Sequence, residues 1–596
     1  MSLLKFEPLK SIAIPNVGQL PVAGLTVVAG PNSSGKTQLL KDIQAKFLGE
    51  PRSSVVCSEI DVAFPQEFED ILQGFIASGQ LKQLYDTDGM PVLQTTEVHL
   101  GNGQGGWRVR RDNLMSWHTQ FARKRTNDFI RHIGQLLITS LFLERRLVAT
   151  NETATFDYQN THPSQELHAL HMSPEAQRQL TSEIARTFGK SVWVDSTRGN
   201  VLCIRVSDQA ELPSAEDRLQ PYEMQKYRTI EAEGDGLKSY VCICMSLLLG
   251  RRPVQLIDEP EMCLHPPQAH ALGRFIGKHA ISKDQAVFVA THSSHVLRGI
   301  IETTSDLRIL RMSRTDNRFH GKLIPYSALK ACIDRPSTKA ETILDGVFAE
   351  AVTIVESEGD RIVYSAATDN VAGDFDHDVH FVSVGGIGGM ASTANLYRQL
   401  QVPQVVIADL DLLIKADMLK PVVEALGEAS DVTQIMDMAR SLAAKIKAIG
   451  PLMSADELKK ELSELANQPM DWDSGHDEAL RRRLSSISDS LSRSALLKQG
   501  GVANFENRGE IHSDLLAVLS RCRQIGLFLA PVGELEYWEP DLMNDGPSKK
   551  HKAEWANEAA LRIRRNGKRS GGIHDFVTQM CRYQQDLARR YAGYPI

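Results

Sequence analysis

Leu25 to Ala29 (LTVVA) is a short apolar run rich in β-branched residues, and it leads without a break into Gly30-Pro31-Asn32-Ser33-Ser34-Gly35-Lys36-Thr37. Gln38 to Lys46 continues with helical periodicity, so strand, glycine loop and helix follow one another and commit this part of the chain to an α/β arrangement. Gly30, Asn32 and Gly35 belong to a turn whose backbone amides face inward around phosphates. Lys36 reaches the terminal phosphates, and the Thr37 hydroxyl can ligate magnesium where the helix begins.

A second buried strand, Val254 to Ile257 (VQLI), ends in Asp258-Glu259-Pro260. In this pattern Asp258 holds magnesium through water and Glu259 polarises an attacking water. A solvated strand end would account for one carboxylate but not for both. Glu261-Met262-Cys263-Leu264-His265-Pro266 follows directly, and a third strand, Val287 to Ala290, delivers Thr291-His292-Ser293, where a histidine can contact a γ-phosphate. His292 and His295 also have the spacing of a helical zinc pair, but no third ligand stands near them, which makes zinc the poorer reading. His162, His168 and His171 read as loop and helix surface. Upstream, Gly234-Asp235-Gly236 opens the apolar helix Tyr240 to Leu249, and the helix start suits a phosphate.

The order of these motifs resembles the ABC-type ATPases that include the structural-maintenance-of-chromosomes and OLD (overcoming lysogenization defect) proteins, over roughly residues 1–345. The resemblance implies that Gly234, Asp235 and Gly236 of one subunit complete the nucleotide site of another across a homodimer, or a higher homo-oligomer; Gly234 stands where many relatives carry serine. The phosphate loop and the glycine signature are about 200 residues apart, more than a minimal core needs. An insertion at about 105–215 is therefore expected, with Asp112 to Leu147 long and helical in pattern; its family counterpart would be a dimerisation arm. Arg145 and Arg146 resemble an arginine placed near the nucleotide, and read equally well as a helix-end charge pair.

The second half repeats the logic of apolar strands that end in acid. Ala351 to Val355 (AVTIV) ends in Glu356-Ser357-Glu358-Gly359-Asp360-Arg361 and runs on into a helix, so Glu356 and Asp360 can face one point. Phe381 to Val384 opens into Gly385-Gly386-Ile387-Gly388-Gly389, a corner where backbone can approach a phosphate or a neighbouring strand. Val405 to Ala408 reaches Asp409-Leu410-Asp411, and strand alternation would put the two aspartates on one side as a magnesium clamp. Uninterrupted apolar strands, each followed by a helix, indicate a parallel sheet with helices on both faces and ligands at the carboxyl ends.

Glu356, Asp360, Asp409 and Asp411 in this order resemble the Toprim domain shared by topoisomerases, primases and OLD nucleases, with Ser357 where the family usually has glycine. The resemblance covers residues 346–596, with a helical insertion at about 413–504. It implies Glu536, and Glu534 beside it, as later metal ligands after the strand Gly526 to Ala530, and a charge-stabilising lysine among Lys549, Lys550, Lys552 and Lys568. In a two-metal reading, ions about 4 Å apart stabilise the attacking water and the leaving oxygen; alternatively Glu356 is the general base. Arg481, Arg482 and Arg483, with Arg562, Arg564, Arg565, Lys568 and Arg569, offer charge for DNA phosphates or form solvated helix faces.

ATPase and Toprim on one chain point by resemblance to OLD-type proteins, including Gabija and retron-associated defence effectors. The implied activity is an ATP- and Mg2+ (or Mn2+)-dependent double-stranded DNA endonuclease of anti-phage defence, with a helicase or reverse-transcriptase complex as a further partner. The alternative is a DNA-repair or recombination ATPase whose Toprim part binds without cutting. A net charge of -7 argues against a nonspecific nucleic-acid coat. Eight cysteines without metal-ligand spacing, no apolar stretch long enough for a bilayer and no secretion signal lead to the expectation of a cytoplasmic protein with reduced thiols.

Overall fold

The computed structural model describes residues 8–594 apart from 51–52, 98–104, 125–126, 159–162, 251, 281–284, 334–339, 376–377, 450–454, 468–483, 485–486, 488–494, 543–551 and 568–571. Its contacts separate into two compact units, Met1–Arg335 and Pro336–Ile596.

The first unit is built on a six-stranded sheet in the order Arg318–Ile324, Leu307–Thr315, Gly24–Ala29, Ala286–Ala290, Val254–Asp258, Ile138–Leu141. The outermost pair Arg318–Ile324 and Leu307–Thr315 is antiparallel, and the other neighbours run parallel. Leu25, Val27, Val28, Leu256, Ile257, Phe288 and Val289 are fully buried, as strands covered on both faces must be. Asp258 pairs in register with Ala290, and Ala290 with Val28, so the three loops that follow these strands emerge side by side. The apolar helix Asp235–Leu249 buries Tyr240, Val241, Ile243 and Met245, and burial pushes the Cys242 thiol up to about 12, which keeps it protonated and inert.

The interval at about 105–215, expected as an insertion, contributes a strand to the central sheet. Asp112 to Leu147 is not one long helix but Arg111–Ala122 and Asp128–Leu137, then the strand Ile138–Leu141, then Leu143–Val148. The strand is buried throughout and pairs with Val254–Asp258, so the middle of the interval is part of the central sheet. A four-residue apolar strand between two helical runs carries too little period-two signal to be read apart from them. His168, expected at the surface, is buried, with Nε2 2.7 Å from the Ala154 carbonyl.

The second unit has a four-stranded, all-parallel sheet ordered Val379–Ser383, Ala351–Val355, Gln404–Ala408, Leu527–Leu529. Val355, Phe381, Val405, Ile407 and Phe528 join a core with Val363, Trp555, Phe576 and Met580 of helices Glu358–Asp369, Lys552–Asn566 and Gly572–Tyr591. The alternate residues Val352, Ile354 and Val406 are equally buried, and helix Ile387–Gln399 packs against strands Ala351–Val355 and Gln404–Ala408. Within 413–504 lie helices Ala416–Leu426, Ala429–Lys447, Ala455–Ala466 and Ala495–Lys498. No helix among the described residues is long and apolar enough to cross a membrane.

Candidate functional site

In the first unit the helix Lys36–Phe47 starts at Gly35, whose backbone is left-handed at φ 91 and whose missing Cβ leaves room for the Phe319 ring. No side chain caps this helix, and its first turn holds no acid. Lys36 Nζ donates to the carbonyls of Gly30 at 2.9 Å and Pro31 at 2.8 Å, spanning the mouth of the loop, while the buried Ser34 hydroxyl has no hydrogen-bond partner among the described residues. An uncapped helix start, a cation and an orphaned hydroxyl form a cradle for an anion. Burial pulls the Lys36 pKa down, and Glu259, Glu261 and Asp258 pull it back up.

Thr37 Oγ1 donates to Asp258 Oδ1 at 3.0 Å, which brings together the hydroxyl and the carboxylate expected to share a magnesium ion. Burial raises the Asp258 pKa, and the Thr37 bond opposes it. Glu259 sits in the left-handed region at φ 44, a conformation costing about 1–3 kcal/mol for such a residue. Its N–H donates to the Ala290 carbonyl at 2.8 Å, and its own carbonyl accepts from Arg146 Nη2 at 3.1 Å.

Of the two open readings for Arg145 and Arg146, neither describes both residues. Arg145, half-buried, pairs with Glu166 at 3.3 Å. Arg146 is fully buried, and its Nη1 donates to the carbonyls of Leu141 and Asp258, so it binds the end of strand Ile138–Leu141 to the end of strand Val254–Asp258. Arg146→Met strands three carbonyls and is expected to lower the melting temperature of the full chain by about 5 °C or more while reducing ATP turnover. An unchanged melting curve would refute the bracing role.

His292 sits just beyond strand Ala286–Ala290, with Nδ1 3.2 Å from Glu261 Oε1 and 3.5 Å from Glu259 Oε1. Its partners are carboxylates of the adjoining loop. Gly234 precedes helix Asp235–Leu249, Asp235 is exposed in its first turn, and Gly236 lies against the Cys263 carbonyl so closely that no Cβ would fit. Gly236 thus has a packing duty within its own subunit.

In the second unit Glu356 follows strand Ala351–Val355, and its carbonyl accepts from the N–H groups of Gly385 at 2.9 Å and Gly386 at 3.0 Å. The glycine corner therefore folds back on the neighbouring strand's end. Ser357 caps helix Glu358–Asp369 and exchanges hydrogen bonds with Asp360 in a capping box, which gives the serine at this position a local purpose. Asp409 and Asp411 are not on a strand: Gln404–Ala408 ends first, and Asp411 lies within the 3-10 turn Leu410–Ile414. Alternation is thus not what gathers them. Glu534 and Glu536 likewise lie past strand Leu527–Leu529, at and within the turn Leu535–Trp538.

These acids nonetheless act on one another. Burial first, and then the charges of Asp360, Glu356, Glu534 and Asp411, push the Asp409 carboxyl up to about 8. Burial and Asp360 raise Glu356, and burial raises Asp360 against its Ser357 hydrogen bonds. Asp411, 2% exposed, is neutralised by Lys415 at 2.7 Å and Lys498 at 3.6 Å, and Lys498 also reaches Glu534 at 3.4 Å. Neither lysine was singled out from the sequence, since Lys498 reaches these acids only through folding: Gln499 bridges Gly533, and the Glu534 N–H donates to the Lys498 carbonyl. As the side chains stand, no three of these acids meet at one ligating point. They are hard oxygen donors under mutual repulsion, which is a donor set that suits a divalent cation. Of the lysines named from the sequence, exposed Lys552 acts on Glu356 and Asp360 from helix Lys552–Asn566, while Lys549, Lys550 and Lys568 lie outside the described residues, as do Arg481, Arg482, Arg483 and Arg569. Arg564 pairs with Asp369 at 2.9 Å and Arg562 with Glu558 at 3.6 Å.

Among solved structures the chain is similar to an SMC head bound to the C-winged helix domain of ScpA, at 13% identity over 53% of this chain and 98% of that one, with a TM-score of 0.31. An SMC head domain from Thermotoga maritima gives 13% identity over 53% and 98%, TM-score 0.26, and a head domain with an extended coiled coil from Pyrococcus furiosus gives 13% over 54% and 96%, TM-score 0.27. No curated protein matches the chain. The AAA_21 family, an AAA domain, matches residues 205–298, the span that holds Gly234–Gly236, Asp258, Glu259 and His292. The overcoming lysogenization defect protein-like Toprim domain matches residues 347–411, the span from strand Ala351–Val355 to Asp411. The chain thus joins an AAA-type ATPase domain to an OLD-like Toprim domain.

Proposed function

We propose that the chain is an ATP-binding and ATP-hydrolysing, divalent-metal-dependent DNA endonuclease that nicks or cuts duplexes in bacterial anti-phage defence. The observation that carries this reading is the carboxylate group Glu356, Asp360, Asp409, Asp411 and Glu534, whose burial and mutual repulsion hold Asp409 protonated up to about 8. A protein keeps so costly a cluster at strand ends where a cation is to be held.

In the ATPase domain, taken as 1–345, Gly30, Asn32, Gly35 and Lys36 hold the phosphates of ATP, Thr37 and Asp258 its Mg2+, Glu259 orients the attacking water, and His292 contacts the γ-phosphate. Gly234, Asp235 and Gly236 of a second copy close the site, which makes the working form a homodimer or higher homo-oligomer. In the Toprim domain, taken as 346–596, Glu356, Asp360, Asp409, Asp411 and Glu536 would hold Mg2+ or Mn2+. A divalent ion there supplies positive charge to the leaving oxygen and acidifies a bound water. Glu356 would serve either as one of these ligands or as the base that takes the water's proton, and Lys415 and Lys498 would hold the charge of Asp411 in the cation's absence.

Digestion of supercoiled plasmid by the full chain tests the reading. Nicked or linear product is expected with Mg2+ or Mn2+ and none with EDTA, and comparison with and without ATP assigns the nucleotide's role. DNA bound but left intact under every metal condition would reject the nuclease and leave a repair ATPase whose Toprim part only binds.

A further inference from the structure

We propose that Glu261 is a positioning residue of the ATP site, fixing the ring of His292 so that Nε2 is the nitrogen offered to the γ-phosphate. The proposal rests on the ATPase reading above and adds a residue to it. Three groups converge on one oxygen of this side chain: Thr291 Oγ1 donates to Glu261 Oε1 at 2.8 Å, the His292 N–H donates at 2.8 Å, and His292 Nδ1 lies at 3.2 Å. All belong to the two residues that follow strand Ala286–Ala290, so the carboxylate shapes the turn that carries the histidine rather than its own loop. The other oxygen, Oε2, is buried without a hydrogen-bond partner among the described residues, and the side chain is only 7% exposed.

A carboxylate taken out of water with one oxygen unpaired is costly unless its charge is used. Here it faces an imidazole nitrogen. With Nδ1 lying 3.2 Å from Glu261, the outward Nε2 edge of a 43% exposed ring is what remains for a ligand. The Thr291 N–H donates to the Val28 carbonyl at 3.0 Å, which places the turn beside the strand that leads into the phosphate loop. Glu259 also approaches Nδ1, at 3.5 Å, but is 30% exposed. The two glutamates thus divide the work: Glu259 faces solvent, where a water can be polarised, and Glu261 is spent on the histidine.

The test is steady-state ATP turnover by the full chain as wild type, Glu261→Gln, His292→Ala and the double variant. Glutamine keeps the volume and an acceptor for Thr291 and the His292 N–H but removes the charge behind Nδ1. A kcat lowered on the order of 10- to 100-fold is expected for each single variant, with KM within about twofold, because the contact matters most as charge develops on phosphate. The double variant should fall no more than about twofold below the weaker single, since both changes remove one unit. Losses that multiply, a raised KM with kcat kept, or an unaltered Glu261→Gln would overturn the proposal alone; a wild type without turnover would overturn the ATPase reading and this proposal with it. If Glu261→Gln melts below assay temperature, Thr291→Val decides: a several-fold drop in kcat at constant KM supports the assignment, and wild-type turnover overturns it.

Discussion

Lys36→Ala is expected to weaken ATP binding at least 100-fold and to abolish turnover while the chain stays folded. The two effects separate because Lys36 has two sets of partners. Its ammonium is held by the Gly30 and Pro31 carbonyls, and losing two such bonds costs about 1–3 kcal/mol, which a domain of this size survives. In the proposed mechanism the same ammonium turns to the terminal phosphates, and charge-assisted bonds in a site lined by Asp258, Glu259 and Glu261 could not be replaced by water without loss. Titration with a fluorescent ATP analogue and a melting curve check both halves. Tight nucleotide binding by the variant would remove the phosphate loop from the mechanism.

Asp409→Asn should have opposite effects on activity and stability. Plasmid cutting is expected to fall at least 100-fold, because an amide cannot serve as an anionic ligand. The metal-free variant should melt higher than wild type at pH 8. In the folded chain the Asp409 carboxyl keeps its proton up to about 8, whereas an unfolded aspartate gives it up near 4. A group with a raised folded pKa contributes its stability fully below the unfolded value and loses it as pH rises through the folded one. The wild type should therefore lose stability relative to the variant between pH about 4 and 8, and Mg2+ should restore it to the wild type alone. Parallel pH profiles of melting temperature for the two proteins would show that the acids do not repel one another as described.

The central strands of both main sheets could be read from the chain because they are uninterrupted apolar runs ending in chemistry-bearing residues: Leu25–Ala29 before the phosphate loop, Val254–Ile257 before Asp258, Ala351–Val355 before Glu356. What escaped reading was whatever depended on short elements or distant partners. Ile138–Leu141 merges into the helical pattern around it because four residues cannot establish a period. Strand alternation brings Asp409 and Asp411 together on paper, but the strand stops at Ala408 and a 3-10 turn follows. Arg146 could not be chosen over Arg145, since only burial against the Asp258 and Glu259 carbonyls distinguishes them. Glu261 was visible in Asp-Glu-Pro-Glu, but its target lies 31 residues on, across a strand pair that sequence does not display.

The four-residue helix Ala495–Lys498 marks where the long helical excursion of the second unit returns to the sheet, and Gly501 is wedged against Pro531 and Gly533 so closely that even a methyl group would collide. That return point is a fastening, and the side chain it fastens is Lys498, the counter-charge of Asp411 and Glu534. A splice that removed Lys498 would leave Asp411 to Lys415 alone, take this cation from Glu534 and unpin the loop that bears Glu534.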